Sequence, residues 1–249
     1  GCPAFIADPV VVDEFQLKAR VSGVPGIKRE SIFHALNQKA VARRYAKSIG
    51  KKYEELNLIV VHLGGGISVG AHRKGLVIDV NNALNGEGPI SPERAGTVPS
   101  EALATLCFSG KYTLNEVKKM LHGKAGLAAY LGTSDMITIE EKAIEGKEPY
   151  KTLVAAMDYT VAKEIGAMFV ALKGQCDAII LTGGIAYSDY CVADIKEQIE
   201  YLCKVVVLPG ENEMESLAEN AFGALTGELP VLTYTGVSCA EEIPGMAEA

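Results

Sequence analysis

Apolar positions return along this chain in two rhythms. Between residues 31 and 49, Ile32, Leu36, Val41, Tyr45 and Ile49 recur at helical spacing with basic residues opposite, which predicts an amphipathic helix. A short extended piece, Val10 to Val12, precedes it. The rhythm then shortens. Residues 58–62, 67–72 and 76–80 are strand-like runs, and Arg73-Lys74-Gly75 between the last two fits a tight antiparallel turn. Residues 82–100 are broken by prolines and glycines outside any period and are expected as loop.

Helical rhythm resumes in the second half. Thr113-Leu-Asn-Glu116 is a capping box backed by Val117 and Leu121. Residues 135–144 form another helical segment, and 152–173 form the longest, with a stripe of Leu153, Met157, Val161, Ile165, Met168 and Leu172. A core helix explains that stripe without a partner. Residues 178–181 are an apolar strand running into Thr182-Gly183-Gly184, followed by a helix over 187–201 and a strand over 205–208. A last helix, 214–225, is stopped by Gly227 and Pro230. Strand–helix alternation after a hairpin-rich start predicts an α/β fold with a mixed sheet flanked by helices.

Composition narrows the class. The 249 residues are 48% hydrophobic and 22% charged, which suits one sizeable globular core. A net charge of -7 with no basic stripe argues against nucleic acid, and the cations between Lys39 and Lys52 read as a solvated helix face. Six cysteines without metal-ligand spacing suit a reducing compartment. With no apolar run of spanning length and no leader pattern, the expectation is a cytoplasmic chain without membrane contact.

Two glycine turns carry the chemistry. Gly64, Gly65 and Gly66 follow a strand ending in His62, and their amides can surround a phosphate or simply make a hairpin. The pattern matches neither the P-loop nor the dinucleotide fingerprint. Gly183 and Gly184 end a strand and open a helix, the usual place for an anion on an α/β sheet. His62 is either a structural strand-end residue or an imidazolium that holds a phosphate oxygen, and His34 either caps a helix or acts on a ligand. Asp13 is a turn acceptor or an orienting carboxylate. Arg94, in the rigid SPERAG loop, is an anion clamp or the partner of a nearby carboxylate such as Glu93. Glu211, Glu213 and Glu215 stand at a helix entrance, where they either favour the helix terminus or reach a nucleotide-bound Mg²⁺. His72 and His122 are read as structural. No general base is evident.

The run HLGGGISVGAHRKGLVIDVNNALNGEGPISPERAG, with DPVVVDEF, SIFHALNQKAVARR, ILTGGIAYS and LPGENEMESLAEN in order, resembles the acetate/butyrate kinase family of the actin-like ATPase superfamily, and its butyrate kinase branch in particular. The resemblance implies a ribonuclease H-like fold and ATP-dependent, reversible phosphorylation of a short-chain carboxylate to an acyl phosphate, with ATP/ADP and Mg²⁺. It places His62 and the three glycines in a phosphate-binding hairpin, Arg94 on the transferring phosphoryl group or the carboxylate, and His34 and Asp13 in the active site. It further places Gly183 and Gly184 in the nucleotide turn, Asp135 near adenosine and Glu213 near magnesium. Gly65 stands where acetate kinases carry asparagine, and Ile137 where they carry arginine, which shifts the expected substrate from acetate toward butyrate or branched acids.

The family resemblance also implies a preceding lobe of which nothing here has the pattern. Residues 1–211 are then a second actin-like lobe, and 212–249 a C-terminal helix and tail packed on a missing N-terminal lobe. An isolated chain of that kind is expected to turn over poorly, to expose the apolar face of its last helix, and to assemble as a homodimer or larger. The alternatives held open are an acetate or propionate kinase, a sugar-kinase relative, a non-catalytic actin-like nucleotide-binding module, and a plain core domain.

Overall fold

A computed structural model describes residues 2–211 and 213–234. Its centre is one sheet of β1 (Asn57–Leu63), β2 (Ile67–Arg73), β3 (Leu76–Val80), β4 (Ala178–Thr182) and β5 (Val205–Val207), in the order β3-β2-β1-β4-β5. β2 runs antiparallel to both neighbours, while β1, β4 and β5 are parallel. This mixed order is the ribonuclease H-like arrangement of the actin-like ATPases. The apolar runs form strands because all of β1 and β4 is buried on both faces.

Alternation along the strands sorts the core into two layers. Ile59, Val61, Leu63, Val69, Ala71, Ile179 and Leu181 face α6 (Tyr150–Ala171) and α7 (Asp189–Ile199). Leu58, Val60, Ala178 and Ile180 face α1 (Ala35–Ser48), meeting its Val41, Ala42 and Tyr45. Of the α6 stripe predicted from spacing, Met157, Val161, Ile165, Met168 and Leu172 are buried, while Val154 takes the inner position in place of the half-buried Leu153. Each such side chain contributes about 1.5–3 kcal/mol when fully buried. The remaining helices are α2 (Ser100–Cys107), α3 (Leu114–Leu121), α4 (Gly126–Leu131), α5 (Met136–Ile144) and α8 (Glu213–Thr226). At α3 the capping box forms as expected, Thr113 and Glu116 each satisfying the other's backbone N–H.

Several expectations change. The first helix starts at Ala35 and not at residue 31, because residues 31–33 are drawn into pairing: Phe33 N–H donates to Val10 and Ala83 N–H to the Ile32 carbonyl. Val10 and Val11 lie in a turn closed by Val12 N–H on Pro9 O, so no strand forms there. The helix expected over 187–201 is interrupted at Ser188, whose hydroxyl caps α7. Helices α2 and α4 had no periodic signal. The basic cluster between Lys39 and Lys52 is a solvated face only in part: Lys47, Lys51 and Lys52 are exposed as expected, whereas Lys39 and Arg43 are not. Lys39 is buried on Glu14 at 2.5 Å, and Arg43 pairs with Asp8 at 2.9 Å, because the N-terminal segment folds across the helix. No helix among the described residues is long and apolar enough to cross a membrane.

Candidate active site

The α1-facing side of the sheet is apolar at one end and polar at the other. In β1 the series Leu58, Val60, His62 ends in a histidine, and the register sets Ser68 of β2 opposite it. Above them the first turn of α1 supplies His34, Asn37 and Gln38, which share one helix face at i, i+3 and i+4. His34 and His62 stack, ring centroids 3.8 Å apart and 14° from parallel. The Gly64–Gly65–Gly66 turn lies beside this stack. A Cβ on Gly66 would stand 3.9 Å from both His34 Cε1 and Arg94 Cγ, and one on Gly64 would stand 3.0 Å from His62 Nε2.

Arg94 is carried by a loop pinned on several sides. Ser91 Oγ donates to Gly65 O at 2.7 Å and accepts Arg94 N–H, while Glu93 N–H also donates to Gly65 O. Ala95 N–H donates to Leu121 O, so the C-terminus of α3 braces the loop from behind. One guanidinium nitrogen of Arg94 reaches Glu93 O at 3.2 Å and the Glu93 carboxylate at 3.5 Å. Its Nε is buried with no hydrogen-bond partner. A buried N–H of a cation without an acceptor is costly unless an anion supplies one.

The second glycine turn arrives at the same end of the sheet. Gly183 and Gly210 exchange backbone hydrogen bonds, and Thr182 Oγ donates to Gly210 O at 3.0 Å. Asn37 Nδ2 donates to the carbonyls of Gly210 and Glu211, which leaves Asn37 Oδ1 to accept from His62 Nδ1 at 2.9 Å. His62 Nε2 therefore carries a lone pair, turned toward Glu211 Oε1 at 3.7 Å. Burial, reinforced by the neighbouring His34, lowers His62 to about 3, and burial with the Arg94 charge lowers His34 to about 4. The imidazolium considered for His62 gives way to two neutral rings, because desolvation penalises the charged form.

The other expected residues fall as follows. Asp13 accepts from Phe15 N–H and is ion-paired with Arg20. Asp135 caps α5 through Ile137 N–H and the Thr138 hydroxyl, and its neighbour Ser134 donates to Glu93 at 3.1 Å. Gly184 faces open space. Of the three glutamates, Glu215 pairs with Arg44 at 3.3 Å, Glu213 is exposed in the first turn of α8, and Glu211 approaches His62. Among the described residues no group of three His, Cys, Asp or Glu side chains could hold a metal ion alone. The donor set suits Mg²⁺ that keeps waters and phosphate oxygens and takes one or two protein carboxylates.

Asn37, Gln38, Ser68 and Ser91 were not anticipated as site residues. Their signal is polar residues where the period demands apolar ones: His34, Asn37 and Gln38 on the inner face of α1, and Ser68 and His72 on the buried face of β2.

A mixed sheet of this order, flanked by helices and carrying two glycine turns and an arginine loop at one end, defines an actin-like ATPase fold. The crystal structure of Porphyromonas gingivalis acetate kinase superposes with a TM-score of 0.76 at 20% identity, over 86% of this chain and 62% of that one. The acetokinase family model matches residues 13–222, and the chain belongs to that family. It is 71% identical over 233 residues to the "Probable butyrate kinase" of Phocaeicola vulgatus, and 57% identical over 233 residues to that of Bacteroides thetaiotaomicron. In both cases the match covers 94% of this chain and 66% of the relative, so the chain spans just under two thirds of their length.

Proposed function

We propose that the protein catalyses ATP-dependent, reversible phosphorylation of butyrate, or of a similar short or branched-chain carboxylate, to an acyl phosphate. The buried, partnerless Nε of Arg94 carries this reading, since it lies in a braced loop beside His34 and the triple-glycine turn. A carboxylate oxygen attacks the γ-phosphorus of ATP, the bond to the β-phosphate oxygen breaks, and ADP leaves with that electron pair. The nucleophile is already an anion, so no general base is needed, in keeping with the neutral histidines. Arg94 holds the transferring group, His34 donates an N–H to an equatorial oxygen, and the amides of Gly64, Gly65 and Gly66 line the phosphate path. Gly183 and Gly184 receive the nucleotide, with Asp135 on the adenosine side and Asp13 orienting its surroundings through Arg20. Mg²⁺, when bound, would supply charge neutralisation at the nucleotide's phosphates. The 3.7 Å approach of Glu211 to His62 supports Glu211, over Glu213 or Glu215, as the carboxylate nearest the metal. Assembly as a homodimer or larger oligomer belongs to the same reading, as does a cytoplasmic setting.

Hydroxylamine trapping with Mg-ATP tests it. Acyl hydroxamate forming faster from butyrate than from acetate is the expected result. Nucleotide binding without hydroxamate from any short-chain acid would favour the non-catalytic nucleotide-binding module once a protein that also carries the expected preceding lobe gives the same result, and preference for acetate would overturn the substrate assignment.

A further inference from the structure

A continuous line of hydrogen bonds runs beneath the histidine stack. Tyr53 Oη lies 2.7 Å from His72 Nδ1, and His72 Nε2 lies 2.9 Å from Gln38 Oε1. Gln38 Nε2 lies 2.8 Å from Ser68 Oγ and 3.1 Å from the Ser68 carbonyl oxygen. Ser68 Oγ lies 2.8 Å from His34 Nδ1. Tyr53, Gln38, Ser68 and His72 are all buried.

One contact sets the direction of the whole line. The Ser68 carbonyl can only accept, so the Gln38 nitrogen must face it and Gln38 Oε1 must face His72. Oε1 also only accepts, so the neutral His72 carries its proton on Nε2 and leaves Nδ1 to accept the Tyr53 hydroxyl. Burial lowers His72 to about 3 and raises Tyr53, which keeps both in these forms. Gln38 donates one hydrogen to Ser68 O and the other to Ser68 Oγ. The buried Ser68 hydroxyl then finds its acceptor in His34 Nδ1, since the reverse tautomer would strand that hydroxyl proton.

We propose that Tyr53, His72, Gln38 and Ser68 form a one-way hydrogen-bond relay that fixes the proton of His34 on Nε2, making Gln38 and Ser68 positioning residues for that ring. His34 Nε2 has no partner among the described residues, so the relay delivers a fixed N–H donor from the interior to the site. The fold makes room for it. Ser68, Gly70 and His72 alternate onto the same face of β2, and a Cβ on Gly70 would fall 2.5 Å from Gln38 Oε1. Only a strand bare at that position lets the Gln38 amide lie across and join Ser68 to His72. The catalytic consequence rests on the proposed phosphoryl transfer, whereas the tautomer itself does not.

Histidine-selective ¹⁵N NMR at pH 7 reads the tautomer directly, because the chain has 4 histidines. In the wild type His34 is expected to show a pyrrole-type Nε2 and a pyridine-type Nδ1. Ser68→Ala should move Nδ1 toward the pyrrole type, and Gln38→Met should do the same by freeing the Ser68 hydroxyl. Tyr53→Phe should alter His72 and leave His34 nearly unchanged. In acyl hydroxamate assays Ser68→Ala should lower kcat about 10- to 100-fold, as loss of an orienting partner does, with KM changed less than about twofold. A wild-type His34 protonated on Nδ1 overturns the relay, as does an unchanged tautomer in both Ser68→Ala and Gln38→Met. If either variant fails to fold, the other and the wild-type spectrum still decide. The predicted tautomer in a protein that makes no acyl phosphate would leave the relay standing and sink the function instead.

Discussion

His34, His62 and His72 are held neutral by burial, and each therefore couples stability to pH with the same sign. Their folded pKa values, about 4, about 3 and about 3, lie below the ordinary 6.5. The unfolded chain takes up protons below pH 6.5 that the folded chain refuses. Their contribution is present above about pH 6.5 and lost as pH falls through about 4 for His34 and about 3 for His62 and His72, at up to about 1.4 kcal/mol per pH unit for each group. Asp158 has the opposite sign. It is wholly buried in α6, and burial with the Asp194 charge nearby pushes it up to about 8. The folded state keeps its proton where the unfolded carboxyl has lost it, so its contribution is present below the ordinary carboxylate range and lost as pH rises toward 8. Asp158→Asn is accordingly predicted to raise Tm, and to raise it more at pH 8 than at pH 5, in thermal unfolding followed by circular dichroism. A gain that is flat or shrinking with pH would contradict this assignment.

At the scale of elements, the end of β4 shows how tightly the site is built. Gly183 has φ 90°, and a Cβ there would fall 2.4 Å from the carbonyl oxygen of Leu63, the last residue of β1. Neither the conformation nor the backbone contact can relax cheaply. Gly183→Ala is predicted to cost about 2–4 kcal/mol, as backbone strain and overpacking combine. Denaturant unfolding would show it as a lower midpoint, and an unchanged midpoint would mean the turn is looser than drawn. Much of the architecture was legible because burial imposes its period: β1, β2, β3 and α6 match the spacing of their apolar residues to within a few positions. α2, with no buried residue, and α4, six residues long, left no periodic trace. The start of α1 was misread because Ile32 and Phe33 continue its apolar pattern while their backbone pairs elsewhere. In the site, glycines, His62 and Arg94 were legible from local chemistry. Gln38 and Ser68 were not, since their role depends on a cross-strand register that sets Ser68 opposite His62 and Gly70 beneath Gln38.

For the whole molecule, the fold brings residues from five stretches of chain to one end of the sheet: His34 to Gln38, His62 to Ser68, Ser91 to Arg94, Thr182 to Gly184, and Gly210 with Glu211. Along α8, Met214, Leu217, Phe222 and Leu225 are exposed while Ser216 and Gly223 are buried. Within the described residues α8 meets α1, where Glu215 pairs with Arg44 at 3.3 Å and Asn220 accepts from Arg43 at 3.3 Å. The tail from residue 235 lies outside the described residues. We propose that these parts, one rigid arginine with neutral imidazoles and glycine turns, make an anion site in which Arg94 acts on the phosphoryl group during transfer. The most direct test compares acyl hydroxamate formation from Mg-ATP and butyrate by the wild type and by Arg94→Ala, both shown to be folded. Butyryl hydroxamate is expected from the wild type, and kcat is expected to fall about 10²–10³-fold in the variant, the usual loss when one preorganised charge donor is removed. Equal rates in the two proteins would contradict it.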